Sequence, residues 1–164
     1  MAENVLSRVK KSLFEKKKKE KQEKKRNIAV FVDGPNILRK ELQIDLEEVK
    51  RVLSNFGNIK IGKVFLNQYA SDKLLEAVAN QGFESVIAVG DVDVYMAVDA
   101  TEAVFNPSIN AIAFVTRDSD FLPAVMKAKS HGKDTIVVLA EEASAAALKN
   151  TADYVIVLGK KKPL

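Results

Sequence analysis

Along this chain, short continuous apolar runs alternate with stretches in which apolar residues recur every three or four positions. Ile28-Ala29-Val30-Phe31-Val32 is one such run, ending in Asp33-Gly34-Pro35-Asn36. It predicts a strand passing through a turn, with a proline near a helix start. Asp45 is placed to cap a helix over 46–56, since Leu46, Val49, Val52, Leu53 and Phe56 fall on one helical face. A second strand is expected over 59–69, and a helix over 71–81 closed by Gly82. The same reading gives strands at 84–89, 112–115 and 135–139 and a sixth candidate at 154–158. Helices are expected from about 93 to 104, over 121–130 and over 144–150. Repeated β-α units of this kind predict an α/β fold, with a central, mainly parallel sheet of about five strands and helices on both faces.

The pattern breaks down at the N-terminus. Val5, Leu6, Val9, Leu13 and Phe14 keep helical spacing, but from Glu15 to Arg26 there is no apolar side chain. Residues 1–26 are therefore expected to form an arm, helical or disordered, ahead of a domain at 27–159 and a short basic tail at 160–164. Charge follows the same division. The arm holds 11 Lys/Arg against 4 Glu, net +7, which leaves residues 27–164 with 15 against 18, net −3.

Composition narrows the chemistry. No cysteine occurs, which excludes disulfides, thiolate zinc sites and cysteine nucleophiles. The start of the sequence lacks the apolar segment of a secretory signal, and no apolar stretch is long enough to span a bilayer. A cytoplasmic protein is the expectation. The glycines form no phosphate-binding motif. His131, the one histidine, precedes Gly132 at a predicted helix end, where a cation suits the helix dipole better than a catalytic post.

Four acids remain as candidate chemistry. In open parallel sheets, ligands bind beyond the carboxyl ends of the strands. Asp33 and Asp118 end strands there, Asp120 follows Asp118 by two, and Asp93 opens the helix after the third strand. Taken singly, each could be a cap or a turn residue. Taken together, carboxylates ~4 Å apart repel by about 4 kcal/mol per pair at an effective dielectric of 20, so the cluster needs a cation or a proton. Oxygen-only ligands favour Mg²⁺ or Mn²⁺.

Three segments carry a family resemblance: Val30-Phe31-Val32-Asp33-Gly34-Pro35-Asn36, Val92-Asp93-Val94-Tyr95-Met96-Ala97-Val98-Asp99, and Phe114-Val115-Thr116-Arg117-Asp118-Ser119-Asp120-Phe121. In order and spacing the sequence resembles the NYN family of the PIN-like nuclease superfamily, among the LabA-related proteins. The resemblance implies a three-layer PIN-like fold and a Mg²⁺- or Mn²⁺-dependent ribonuclease in which Asp33, Asp93, Asp118 and Asp120 hold the metal and carry catalysis. It also implies that Asn36 orients a carboxylate or contacts substrate. Asp99 matches a recurrent acid, but six residues along a helix from Asp93 turn it 120° away, which suits a supporting role. Two departures stand out. The family often has Lys-Gly before the second motif, where this chain has Val89-Gly90-Asp91, and none of Glu41, Glu76 or Glu84 obviously replaces the acid that many PIN enzymes place on an earlier helix.

With RNA as the implied partner, Lys16, Lys17, Lys18, Lys19, Lys24, Lys25 and Arg26 become candidate phosphate contacts that offset the domain's negative field. The arm's apolar residues leave open a protein partner, a second copy of the chain or a lipid surface, and the arm could also serve solubility alone. Two other readings of the domain remain: a catalytically weak RNA-binding or adaptor domain that keeps the fold, and an unrelated phosphotransferase. The latter usually needs an acid two residues after the first, where Pro35 stands.

Overall fold

The computed structural model describes residues 4–22, 26–37 and 45–159, and within them the side chains of 4–15, 26–35 and 45–159. The 160–164 tail expected from the sequence lies outside the described residues, as do Lys24 and Lys25.

Six strands, β1 (Arg26–Asp33), β2 (Gly57–Asn67), β3 (Glu84–Ala88), β4 (Ala111–Val115), β5 (Asp134–Leu139) and β6 (Tyr154–Val157), form one sheet in the order 3-2-1-4-5-6. Every neighbouring pair is parallel. The sheet is thus one strand larger than the five expected and wholly parallel. β1 and β4 sit in the middle, and residues 28–32 and 111–115 are all at most 1% exposed, which is why both read as unbroken apolar runs.

Helices cover both faces. Against one lie α3 (Leu46–Leu53) and α4 (Asp72–Asn80), packing Val49, Leu53 and Val78 onto Val30, Val64 and Ala113. Against the other lie α5 (Val92–Val104), α6 (Leu122–Ser130) and α7 (Ala146–Thr151), packing Met96, Ala100, Val125 and Leu148 onto Phe31, Phe65, Phe114 and Val137. The layers are α/β/α, a three-layer PIN-like arrangement. Local signals fix the helix starts: Asp45 accepts from Glu47 N–H and Ser71 from Leu74 N–H.

Strand order reverses between β1 and β4. Beyond their carboxyl ends lies the crevice that this topology reserves for ligands. A short helix, α2 (Gly34–Ile37), leaves β1 there, and a single 3-10 turn (Ser119–Phe121) leaves β4. The N-terminal helix, α1 (Val5–Gln22), precedes β1, whose first residue, Arg26, is at the opposite end of the sheet. Arg26, expected with the arm, instead opens β1. Its Nε lies 3.0 Å from an Asp134 oxygen, its Nη2 donates to the Tyr154 hydroxyl, and its guanidinium sits 5.4 Å from the Tyr154 ring centroid.

Candidate active site

Asp33 is the last residue of β1 and is fully buried. The next residue has to be small, because a Cβ at Gly34 would run into the Phe65 carbonyl and the Leu66 side chain at the end of β2. Asp33 is in register with Phe65, and its neighbour Val32 with Val115 of β4. The two acid-bearing strands are thus hydrogen-bonded neighbours. Thr116, buried directly after β4, joins them: its Oγ1 donates to Asp33 Oδ2 (2.9 Å) and accepts from Asp118 N–H (3.0 Å). One hydroxyl therefore fixes both a carboxylate and the backbone that carries the next acid, a role that motif reading missed. The sequence signal was a threonine placed between a buried strand and an acid.

Asp118 in turn caps the 3-10 turn, its Oδ1 accepting from Asp120 N–H at 2.9 Å. Its bland reading as a cap is therefore part of its role, whereas Asp120 caps nothing. At α5 the cap is Asp91, whose Oδ1 accepts from Asp93 N–H at 3.0 Å. The acid that departs from the family's Lys-Gly thus starts the helix, which frees Asp93 from capping.

Electrostatics brings the acids together. The Asp93 carboxyl is pushed up from 3.8 to about 6, first by burial and then by the negative charges of Asp33, Asp118, Asp91 and Asp120. All four sequence candidates share one field, and Asp91 joins them. Asp99 stands apart. Helix rise places it about 9 Å down α5 from Asp93, where its Oδ2 is 2.8 Å from Lys63 Nζ of β2. That contact raises the Lys63 pKa. It pins α5 to the sheet, in keeping with a supporting role. The side chain of Asn36 lies outside those described. His131 C-caps α6, with Nδ1 2.9 Å from the Lys127 carbonyl oxygen and its ring edge-on to Phe105.

The donor set fits a hard divalent cation in kind, being all carboxylate oxygen. The spacing is open: among the described residues no three acids stand within reach of one ion.

A wholly parallel sheet between two helical layers, with its ligand crevice at the β1/β4 switch point, is a PIN-like fold. The chain belongs to the NYN domain family, which it matches over residues 27–159. That family is in general composed of PIN-like nucleases, which typically use divalent metals. A curated relative, the uncharacterized protein MJ0482 of Methanocaldococcus jannaschii, is 61% identical over 149 residues, covering 91% of this chain and 61% of the relative. The chain spans about three-fifths of that relative's length. Among solved structures, the protein of unknown function VPA0982 from Vibrio parahaemolyticus superposes with a TM-score of 0.72 at 21% identity, covering 82% of this chain and 94% of the other. That likeness concerns the fold alone.

Proposed function

We propose that this chain is a Mg²⁺- or Mn²⁺-dependent ribonuclease whose site is Asp33, Asp93, Asp118 and Asp120. The observation that carries the reading is the Asp93 carboxyl at the switch point, raised to about 6 first by burial and then by the charges of Asp33, Asp118, Asp91 and Asp120. Such a shift at a ligand crevice marks a site assembled against its own electrostatic cost. A divalent ion bound there would polarise a phosphoryl oxygen and lower the pKa of a water for in-line attack.

The chain's own residues would do the rest. Asp33, Asp93, Asp118 and Asp120 supply the hard oxygen donors. Thr116 holds Asp33 and the Asp118 backbone in one frame. Asp118 keeps Oδ1 on Asp120 N–H, which leaves Oδ2 for an ion or a water. Asp93, whose carboxyl is raised to about 6 when no ion is bound, is suited to take or return a proton.

A second reading, an RNA-binding or adaptor domain with little turnover, draws on the open spacing of the acids. One assay separates the two. Purified protein should cut RNA with Mg²⁺ or Mn²⁺, stop with chelator, and lose more than about 100-fold in rate as Asp118→Asn or Asp33→Asn while staying folded, beyond the range seen for residues that only support a ligand. Wild type that binds RNA but cuts none with either ion establishes the adaptor reading.

A further inference from the structure

Beside Asp33, on the sheet face that carries α3 and α4, lies a groove of about 340 Å³ whose lining includes Pro35, Tyr69, Ala70, Leu74, Asn67 and Ser71. Its volume is at the small end of ligand pockets, enough for one ring system with its substituents. The walls are mainly apolar, with one amide and one hydroxyl. Tyr69 stands at its mouth and is 83% exposed. The backbone beneath is held, since Tyr69 N–H donates to Asn67 Oδ1 at 3.0 Å and Ala70 N–H to the Asn67 carbonyl. The turn presents the ring to solvent on a fixed base, and no hydrophobic contact explains its exposure. Strand spacing and register place the Tyr69 backbone within about 14 Å of Asp33, a span of two or so nucleotides.

On the other face of the sheet stands a second tyrosine. Tyr95 lies one helical turn nearer the rim than Asp99 and on the same side of α5, the side from which Asp99 reaches Lys63 of β2. It is 41% exposed. The chain's third tyrosine, Tyr154, is at the far end of the sheet and packs edge-on against Phe56. The two exposed phenol rings thus lie on opposite faces of the sheet, both on the β2 side of the acids.

We infer that the Tyr69 groove is a nucleobase subsite for single-stranded RNA, with Tyr69 as its stacking face and Tyr95 as a secondary platform for a base on the other face of the sheet. This deepens the ribonuclease reading and rests on it for the polymer. A flat aromatic face at a fixed place binds any base, whereas a duplex keeps its bases stacked on one another and withholds them. The acids of the rim repel phosphates, and base stacking is an attraction that does not depend on charge. The groove's Asn67 and Ser71 can bond a base edge; the rings need no particular base.

The test uses the full chain in chelator, with an oligoadenylate eight-mer and an abasic ribose-phosphate chain of equal length as probes. Stacking is worth about 1–3 kcal/mol per base, or roughly 5- to 150-fold in affinity. Tyr69→Ala should weaken eight-mer binding by at least 5-fold, Tyr95→Ala by less, and neither should change binding of the abasic chain. Tyr69→Phe should bind the eight-mer as wild type does. With no Trp in the chain, tyrosine emission should be quenched by the eight-mer and less so in Tyr69→Ala. Unchanged eight-mer affinity in Tyr69→Ala, an equal loss on the abasic probe, or absence of RNA binding overturns the subsite. Tyrosine-dependent binding without cleavage under Mn²⁺ upholds the subsite and rejects only the nuclease reading.

Discussion

The two ends of the sheet treat charge in opposite ways. At the carboxyl end, Asp33, Asp91, Asp93, Asp118 and Asp120 share one rim, and their mutual repulsion adds to burial in raising the Asp93 carboxyl. At the amino end the ionic groups find partners: Arg26 with Asp134 at 3.0 Å, Lys129 with Asp153 at 3.3 Å, and Lys133 donating to the Asn106 and Ile109 carbonyls. There burial works to raise Asp153, but hydrogen bonds from Thr135 and Lys129 outweigh it and the carboxyl falls below its usual range. Matched charge closes the bottom of the sheet. At the top, the charges of Asp33, Asp118, Asp91 and Asp120 work against the ionised form of Asp93, a cost that points to a ligand.

The arm joins the matched end, which gives the largest expected effect. From Arg26 to Asp33 the strand rises about 23 Å, so positive charge enters at the far end from the acids. If the arm contacts about five phosphates, removing residues 1–25 should lower the slope of log K against log salt by roughly three to five units, using about 0.7 per single-strand contact. That amounts to about 10³ in affinity at 0.1 M salt relative to 1 M. Arg26 is kept because it is tied into β1. RNA too short to bridge 23 Å while seated at the acids should show no difference. Identical slopes for the full chain and the truncation on long RNA would reject the tether.

Thr116 tests whether the acidic end needs its frame as well as its charges. Thr116→Val keeps the shape but removes the donor to Asp33 and the acceptor for Asp118 N–H. Cleavage should fall about 10- to 100-fold, the range for residues that orient metal ligands, and Thr116→Ser should restore most of it. Equal rates for Val and wild type would mean that the carboxylates are placed by the backbone alone.

Most of this architecture is legible in the sequence because it is written in local signals. The runs at 28–32 and 111–115 are apolar throughout since both faces of β1 and β4 are covered, and Asp45, Ser71 and Gly82 mark helix ends by their own backbone preferences. The strand after Asp153 was harder to count, as its four residues alternate between half-buried and exposed at the sheet edge. At the site, strand ends fixed Asp33 and Asp118, but which acid caps α5 depends on one residue of register, and Asp91 rather than Asp93 fills the place. The Thr116 bridge and the Lys63–Asp99 pair join residues 83 and 36 apart in sequence. No periodicity encodes such pairings, because they arise only once β4 has been laid beside β1 and α5 across β2.

A smaller effect, on stability alone, is expected at the matched end. Buried Thr135 gives Asp153 Oδ2 both its N–H and its Oγ1–H, each at 2.9 Å. Asp153→Ala should cost about 1–3 kcal/mol by leaving those donors unpaired, read as a lower denaturation midpoint. The cleavage rate at a temperature where both proteins are folded should not change. Asp134→Asn, which loses only a half-exposed ion pair, should cost at most about 1 kcal/mol.

The smallest effect lies in how the two ends respond to pH. Asp93 titrates at about 6 in the folded chain, against 3.8 as the ordinary value. Between those values the folded state holds a proton that the unfolded state has released, so stability falls as pH rises through that window and levels off above 6. Asp153 has the opposite sign, since its lowered carboxyl adds stability that is present above 3.8 and lost as pH falls through its folded value. The two windows adjoin without overlapping, so Asp93 can be isolated between pH 4.5 and 6.5. Solvent reaches the group, which limits its share to about 1 kcal/mol. In chelator, Asp93→Asn should gain on wild type in melting temperature as pH goes from 4.5 to 6.5, and Mn²⁺ should shrink that gain by stabilising wild type most at the higher pH. A melting difference that stays constant across the window would show that the acids at this end do not share one field.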